Sequence, residues 1–207
     1  MYNKEDYFEA VVNCLNEQRK RNELCDIVIT VGGRDFNAHK SFLAASSDYF
    51  EAMLTSGFTE SAKNKIEIEG NADTFETLLD FLYSGELDID RLDTAESIHD
   101  VLEMACYMQI KPAIAACCEN LGFIYTDYSP LDVEDTFDVA EALLFLLFAQ
   151  NHHLPELETS SETFLGKHFE QLQMSEKFLQ KANVDFLEGF LTGDKVAGDI
   201  EEEQVRK

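Results

Sequence analysis

Tryptophan is absent from this chain of 207 residues, and proline occurs only three times and glycine ten times. So little Pro and Gly argues against a turn-rich β architecture and favours helix. Basic residues are scarce as well. Sixteen Lys and Arg face 41 Asp and Glu, giving a net charge of −25 and an isoelectric point near 4.3. Such a surface repels phosphate backbones and anionic lipid, which excludes direct nucleic-acid or membrane-surface binding as the expected role. Long hydrophobic runs are missing: the longest, Ala142 to Ala149, falls far below the roughly 20 residues needed to cross a bilayer. Five cysteines, Cys14, Cys25, Cys106, Cys117 and Cys118, are an odd number without framework spacing. Four sit among apolar neighbours, so they are expected to be reduced and buried. Met1 to Asp6 is polar and acidic, unlike a secretory leader. A cytosolic or nuclear location is expected.

Catalytic signatures are also lacking. There is no G-x-S-x-G, P-loop, H-E-x-x-H or C-x-x-C. Gly32-Gly33 opens no helix and reads as a turn rather than a phosphate cradle. His152 and His153 are adjacent, and neighbouring side chains diverge, so the pair chelates poorly. Cys117-Cys118 reads as two small residues on a helix, since adjacent cysteines seldom reach disulfide geometry. No catalytic, cofactor-binding or metal-binding residue is therefore assigned, and the chain is not expected to be an enzyme.

What is present is enough apolar material for a core: 45% hydrophobic residues, with 16 Phe. Phe8, Val11, Val12 and Leu15 mark one face of a first helix. Little sequence precedes them to cover that face, so it is expected to meet a second copy of the chain. Ile27 to Val31 is a β-branched strand, Gly32-Gly33 a tight turn, and Phe36 and Ala38 belong to the returning strand. Phe42 to Leu54 fits one long helix or two short ones. Ile66 and Ile68 alternate with charged residues as a short strand. Asp73 and Glu76 read as a capping-box pair before Phe75, Leu78, Leu79 and Leu82. Gly85 ends that helix. Ile98, Val101, Leu102, Ala105 and Met108 mark the next, and Pro112 starts another with Ile114, Cys118 and Leu121 facing inward.

An acidic, Pro-containing connector, Thr126 to Asp138, suggests a boundary between domains at 1–125 and 126–207. Beyond it the pattern is helical. Phe137, Ala140, Leu144 and Leu147 form one stripe. Thr159 and Glu162 cap a helix bearing Phe164, Leu165, His168, Phe169 and Leu172. Glu201 to Lys207 starts a helix without an apolar face, and such a helix has nothing to hold it to a fold. The chain is therefore expected to be part of a longer protein.

Several of these segments carry a resemblance. Leu24 to Ile29, Phe36 to Lys40, Leu43 to Phe50, Met53 to Ser61 and Leu82 to Gly85 resemble, in order and spacing, the BTB (POZ) domain, over about residues 7–123. Residues 130 to about 206 resemble, more weakly, the first half of a BACK domain, through Phe148-Ala149-Gln150 and Ser175 to Leu179. BTB followed by BACK is the arrangement of the Kelch-like adaptors. The resemblance implies an α/β BTB fold, mostly helical with a small sheet, followed by an all-α partial BACK domain.

It also implies a function. Kelch-like proteins dimerise through BTB and recruit substrate proteins to a cullin-3 ubiquitin ligase. Phe58-Thr59-Glu60 matches the family's hydrophobic-x-Glu motif, which contacts cullin-3. Leu143 to Phe169 corresponds to the 3-box, which extends the same groove. Asp26 and His39-Lys40 match positions near the charged pocket of the dimer. The substrate would be held by a further domain, usually of Kelch repeats. Three departures stand out: only about six residues precede the first helix, where relatives often carry a swapped strand, the Asn-Cys pair that often opens BACK is missing, and no Kelch repeats follow in this sequence. A BTB dimerisation module of a transcriptional or structural protein, without cullin binding, is the alternative.

Overall fold

The structure, a computed structural model, describes residues 3–55, 64–88, 91–92, 94–127 and 139–167. Its packing divides into two units, Met1–Cys117 and Cys118–Lys207. Among the described residues, α1 (Lys4–Lys20) leads into β1 (Ile27–Val31) and β2 (Arg34–Ala38). Then come α2 (Lys40–Ser46), α3 (Asp48–Thr55), β3 (Lys65–Ile68), α4 (Ala72–Ser84), α5 (Ala95–Tyr107) and α6 (Lys111–Asp127). The second unit contributes α7 (Val139–His152) and α8 (Pro155–Lys167). The expected α/β fold, mostly helical with a small sheet, is the one found, and what is described of the second unit is helical.

The sheet has the order β2-β1-β3. β1 pairs antiparallel with β2, from Ile27 opposite Ala38 to Val31 opposite Arg34. The intervening Gly32 and Gly33 have φ of 55° and 80°, the left-handed pair that a two-residue hairpin requires. β1 pairs parallel with β3, Ile29 beside Ile66 and Val31 beside Ile68. A parallel pair needs a crossover, and α2 and α3 supply it. Alternation then decides the faces: Ile27, Ile29 and Val31 are at most 2% exposed, while Val28 and Thr30 are half-buried.

Phe75, Leu78 and Leu79 of α4 and Val101, Leu102 and Ala105 of α5 are fully or almost fully buried. Phe75 meets Phe36 of β2 edge-on at 5.1 Å between ring centroids, a favoured aromatic geometry. Gly85 closes α4 in the left-handed region, its N–H donating to the Phe81 carbonyl at 2.7 Å. Every buried polar side-chain atom among the described residues has a hydrogen-bond partner, as a native interior requires. No described helix is long and apolar enough to cross a membrane.

Five expectations are corrected. Asn71, not an Asp73–Glu76 pair, caps α4, its side chain accepting from the Asp73 and Thr74 N–H groups. Both carboxylates pair instead with Arg34. On α6 the buried line is Ala113, Cys117 and Leu121, with Ile114 and Cys118 half-buried beside it. On α7 the buried residues are Ala142, Leu143, Phe145, Leu146, Phe148 and Ala149, while Leu144 and Leu147 are half-buried. A helix apolar around most of its circumference carries no periodic signal to choose a face. α8 starts at Pro155, a turn before Thr159, because Pro fits the first helical position. Lastly, all five cysteines are free, but only Cys117 is buried and Cys14 is exposed. Apolar neighbours in sequence do not fix which way a helical side chain points.

Candidate functional site

The expected cullin-contact residues Phe58, Thr59 and Glu60 lie outside the described residues, as do His168 and Phe169. α3 ends at Thr55, three residues before that motif. Ser47 starts this helix: the side-chain Oγ accepts from the Phe50 N–H at 3.2 Å and donates to the Met108 carbonyl at 2.6 Å. One hydroxyl thus caps α3 and ties it to the end of α5. Asp48 follows in the first turn, where a carboxylate suits the helix dipole, and accepts from Lys111 Nζ at 2.6 Å. That bond holds the Lys111 ammonium above its ordinary pKa.

Between these ties sit two tyrosines. Tyr49 of α3 is half-buried, and Tyr107 at the end of α5 is 60% exposed. Their ring centroids are 5.2 Å apart. Burial, and then its hydrogen bond to Tyr107, pushes the Tyr49 hydroxyl well above the usual phenol range. The result is an aromatic surface anchored from both sides by α3, α5 and α6. The sequence reading missed Tyr49 and Tyr107 because they are distant in sequence. A Ser-Asp pair such as Ser47-Asp48, which favours a helix start, is the local signal that could have pointed to α3.

The apolar stripe of α1 is divided by the fold. Arg19 binds Asp80 at 2.5 Å and lies over the Tyr83 ring at 5.0 Å, fixing α1 on α4. Val12 and Leu15 are thereby half-buried, while Phe8 and Val11 stay exposed, at 53% and 39%. Tyr7, also exposed, meets Phe8 edge-on at 5.7 Å and extends the stripe toward the chain start.

Asp26 and Lys40 are brought together, but through the main chain: Asp26 Oδ1 accepts from the Lys40 N–H at 2.7 Å. His39 beside them is buried. Tyr83 Oη accepts from the His39 main-chain N–H at 3.0 Å and lies 2.9 Å from Nδ1. Nε2 lies 3.3 Å from the Glu23 carbonyl, which can only accept, so a neutral ring bonded to both would carry its proton on Nε2 and accept from Tyr83 at Nδ1. Burial raises the Tyr83 hydroxyl to about 12, against the His39 N–H, which lowers it. Cys25 Sγ lies 3.8 Å from Nε2. Burial pushes its thiol up, which disfavours the reactive thiolate. His152 stacks on Phe148 at 4.1 Å, and His153 takes a positive φ just past the end of α7.

Comparison with known proteins places this arrangement. The family described as "BTB/POZ domain" matches residues 15–124. Kelch-like protein 36 of Mus musculus is 32% identical over 197 residues, 95% of this chain and 30% of its own length. Kelch-like protein 26 of Homo sapiens is 32% identical over 163 residues, 78% of this chain and 24% of its own. The chain thus spans less than a third of these relatives. Among solved structures, the BTB domain of zebrafish PATZ1 is 27% identical with a TM-score of 0.50, covering 58% of this chain and 96% of that one. With a family match over more than half its length and three strands in the order β2-β1-β3, this chain belongs to the BTB/POZ domain family.

Proposed function

We propose that this chain is the BTB portion of a non-enzymatic adaptor that dimerises and recruits cullin-3, so that a substrate protein bound elsewhere on the same polypeptide is ubiquitylated. The observation that carries the reading is the Tyr49–Tyr107 surface. It lies on α3 and the end of α5, and α3 ends at Thr55, three residues before Phe58. Exposed aromatics on a rigid scaffold are the side chains that anchor protein interfaces. Ser47 and the Asp48–Lys111 pair hold this scaffold in place without needing a partner. The similarity to Kelch-like proteins 36 and 26 supports the same reading.

The second unit, read as the first part of BACK with its 3-box, would add to the cullin contact. The exposed Tyr7, Phe8 and Val11 would meet the same face of a second copy, since a two-fold dimer uses one patch twice. Asp26 and Lys40 would then sit near the dimer's charged pocket. A second reading, a BTB module that dimerises without binding cullin, has the likeness to the BTB domain of zebrafish PATZ1 in its favour. Calorimetric titration with the N-terminal domain of cullin-3 separates the two. Saturable binding by the dimer supports the adaptor, and a folded dimer that gives no heat supports the second reading.

A further inference from the structure

α5 carries a group of donors that neither proposed interface uses. His99, Asp100 and Glu103 each offer one ligand atom, and these atoms all lie within 4.8 Å of one another. His99 and Asp100 are adjacent and would not chelate as a pair, but Glu103 lies four residues beyond one and three beyond the other, so it neighbours both across a helix turn. The backbone beneath them is fixed. Ile98, Val101, Leu102 and Ala105 are buried on the inner face, and Thr94 caps the helix start by accepting from the Ser97 N–H. Donors on a rigid element meet the first requirement of a metal site.

We propose that His99, Asp100 and Glu103 form a three-donor site for Zn²⁺. On tetrahedral zinc, with bonds of about 2.0–2.2 Å, neighbouring donors stand roughly 3.3–3.5 Å apart. The three ligand atoms, within 4.8 Å of one another, would have to close to that spacing when zinc binds. One imidazole nitrogen with two carboxylates suits zinc rather than calcium or magnesium, which take six or more oxygens.

The surroundings favour a cation. Asp100 and Glu103 also line a cavity of about 390 Å³, together with Glu69, Asn71, Met104 and Tyr107. Three carboxylates line it and no Lys or Arg does. His99 is not among the residues lining this cavity, so the cavity marks only the carboxylate side of the site, where Glu69 adds negative charge. The competing account is a histidine resting among solvated carboxylates with no ion.

Calorimetric titration of ZnCl₂ into the full chain, first stripped with EDTA, tests the site at neutral pH. One zinc per chain is expected. His99→Ala and Glu103→Gln should each weaken binding by at least about tenfold, the lower end of what loss of a mere supporting group costs. Both positions are partly or fully exposed, so melting curves should show the variants folded. The His152→Ala/His153→Ala double variant should bind as the parent does. Zinc should also raise the melting temperature of the parent but not of His99→Ala. In ¹H–¹⁵N spectra of the histidine rings, the signals lost in His99→Ala are those that zinc should shift. Absence of saturable binding overturns the site. So does unchanged binding in both His99→Ala and Glu103→Gln, or loss of binding only in the double variant.

Discussion

The Ser47 hydroxyl donates to the Met108 carbonyl at 2.6 Å and so closes the start of α3 onto the end of α5. Ser47→Ala removes that bond and the cap on the Phe50 N–H, both in buried surroundings. Leaving buried groups without partners costs about 1–3 kcal/mol. Urea unfolding should show a lower midpoint with an unchanged slope. A wild-type midpoint would mean that Ser47 does not hold the scaffold of the Tyr49–Tyr107 surface.

Phe58→Ala should weaken cullin-3 binding by roughly 30-fold or more, since truncating an interface anchor costs about 2 kcal/mol and 1.4 kcal/mol is a factor of ten. Glu60→Ala should weaken it too, by loss of charge-assisted hydrogen bonds. Melting temperatures should stay close to the parent's. Calorimetry on both variants is the check, and unchanged affinity in a folded Phe58→Ala protein would reject the motif assignment.

Tyr107→Ala probes the described part of the same surface. The side chain is largely exposed, so stability should change little, whereas an aromatic at an interface centre contributes about 2 kcal/mol to binding. Loss of affinity without loss of melting temperature is the expected pattern. A fall in both, or in stability alone, would make Tyr107 a packing residue for Tyr49.

For the dimer, Phe8→Asp and Val11→Asp place charges on a face that is exposed in the single chain. Folding of the protomer should survive while the association fails, because an unpaired charge in an apolar interface is costly. Light scattering should move from twice the chain mass to 23.5 kDa. A parent protein already at the chain mass would exclude the dimer.

The Tyr83 hydroxyl gives an alkaline prediction. Its pKa is about 12 in the fold against 10.0 for the free group. A raised phenol pKa means that the fold favours the protonated form. The contribution is whole below pH 10 and is lost as pH rises to about 12. Two units correspond to at most about 2.7 kcal/mol. Unfolding midpoints taken across this range should fall, and fall less steeply in Tyr83→Phe, which also forfeits its bonds to His39 at neutral pH.

Much of this was legible in the residues because it depends on local rules. A β-branched run gave β1, Gly32-Gly33 gave the hairpin, and Ile98, Val101, Leu102, Ala105 and Met108 are all buried as the helical spacing marked them. Spaced segments from Leu24 to Gly85 carried the family. The tertiary structure alone decided what depends on distance. It put Tyr107 beside Tyr49, 58 positions earlier by their numbers, and turned Asp73 and Glu76 toward Arg34 rather than toward their own helix start. It also split one apolar stripe, burying Val12 and Leu15 in part while leaving Phe8 and Val11 outside. Periodicity says that a face is apolar. Which part of that face is covered depends on a partner element, here α4 held through Arg19 and Asp80, and no local pattern encodes the partner.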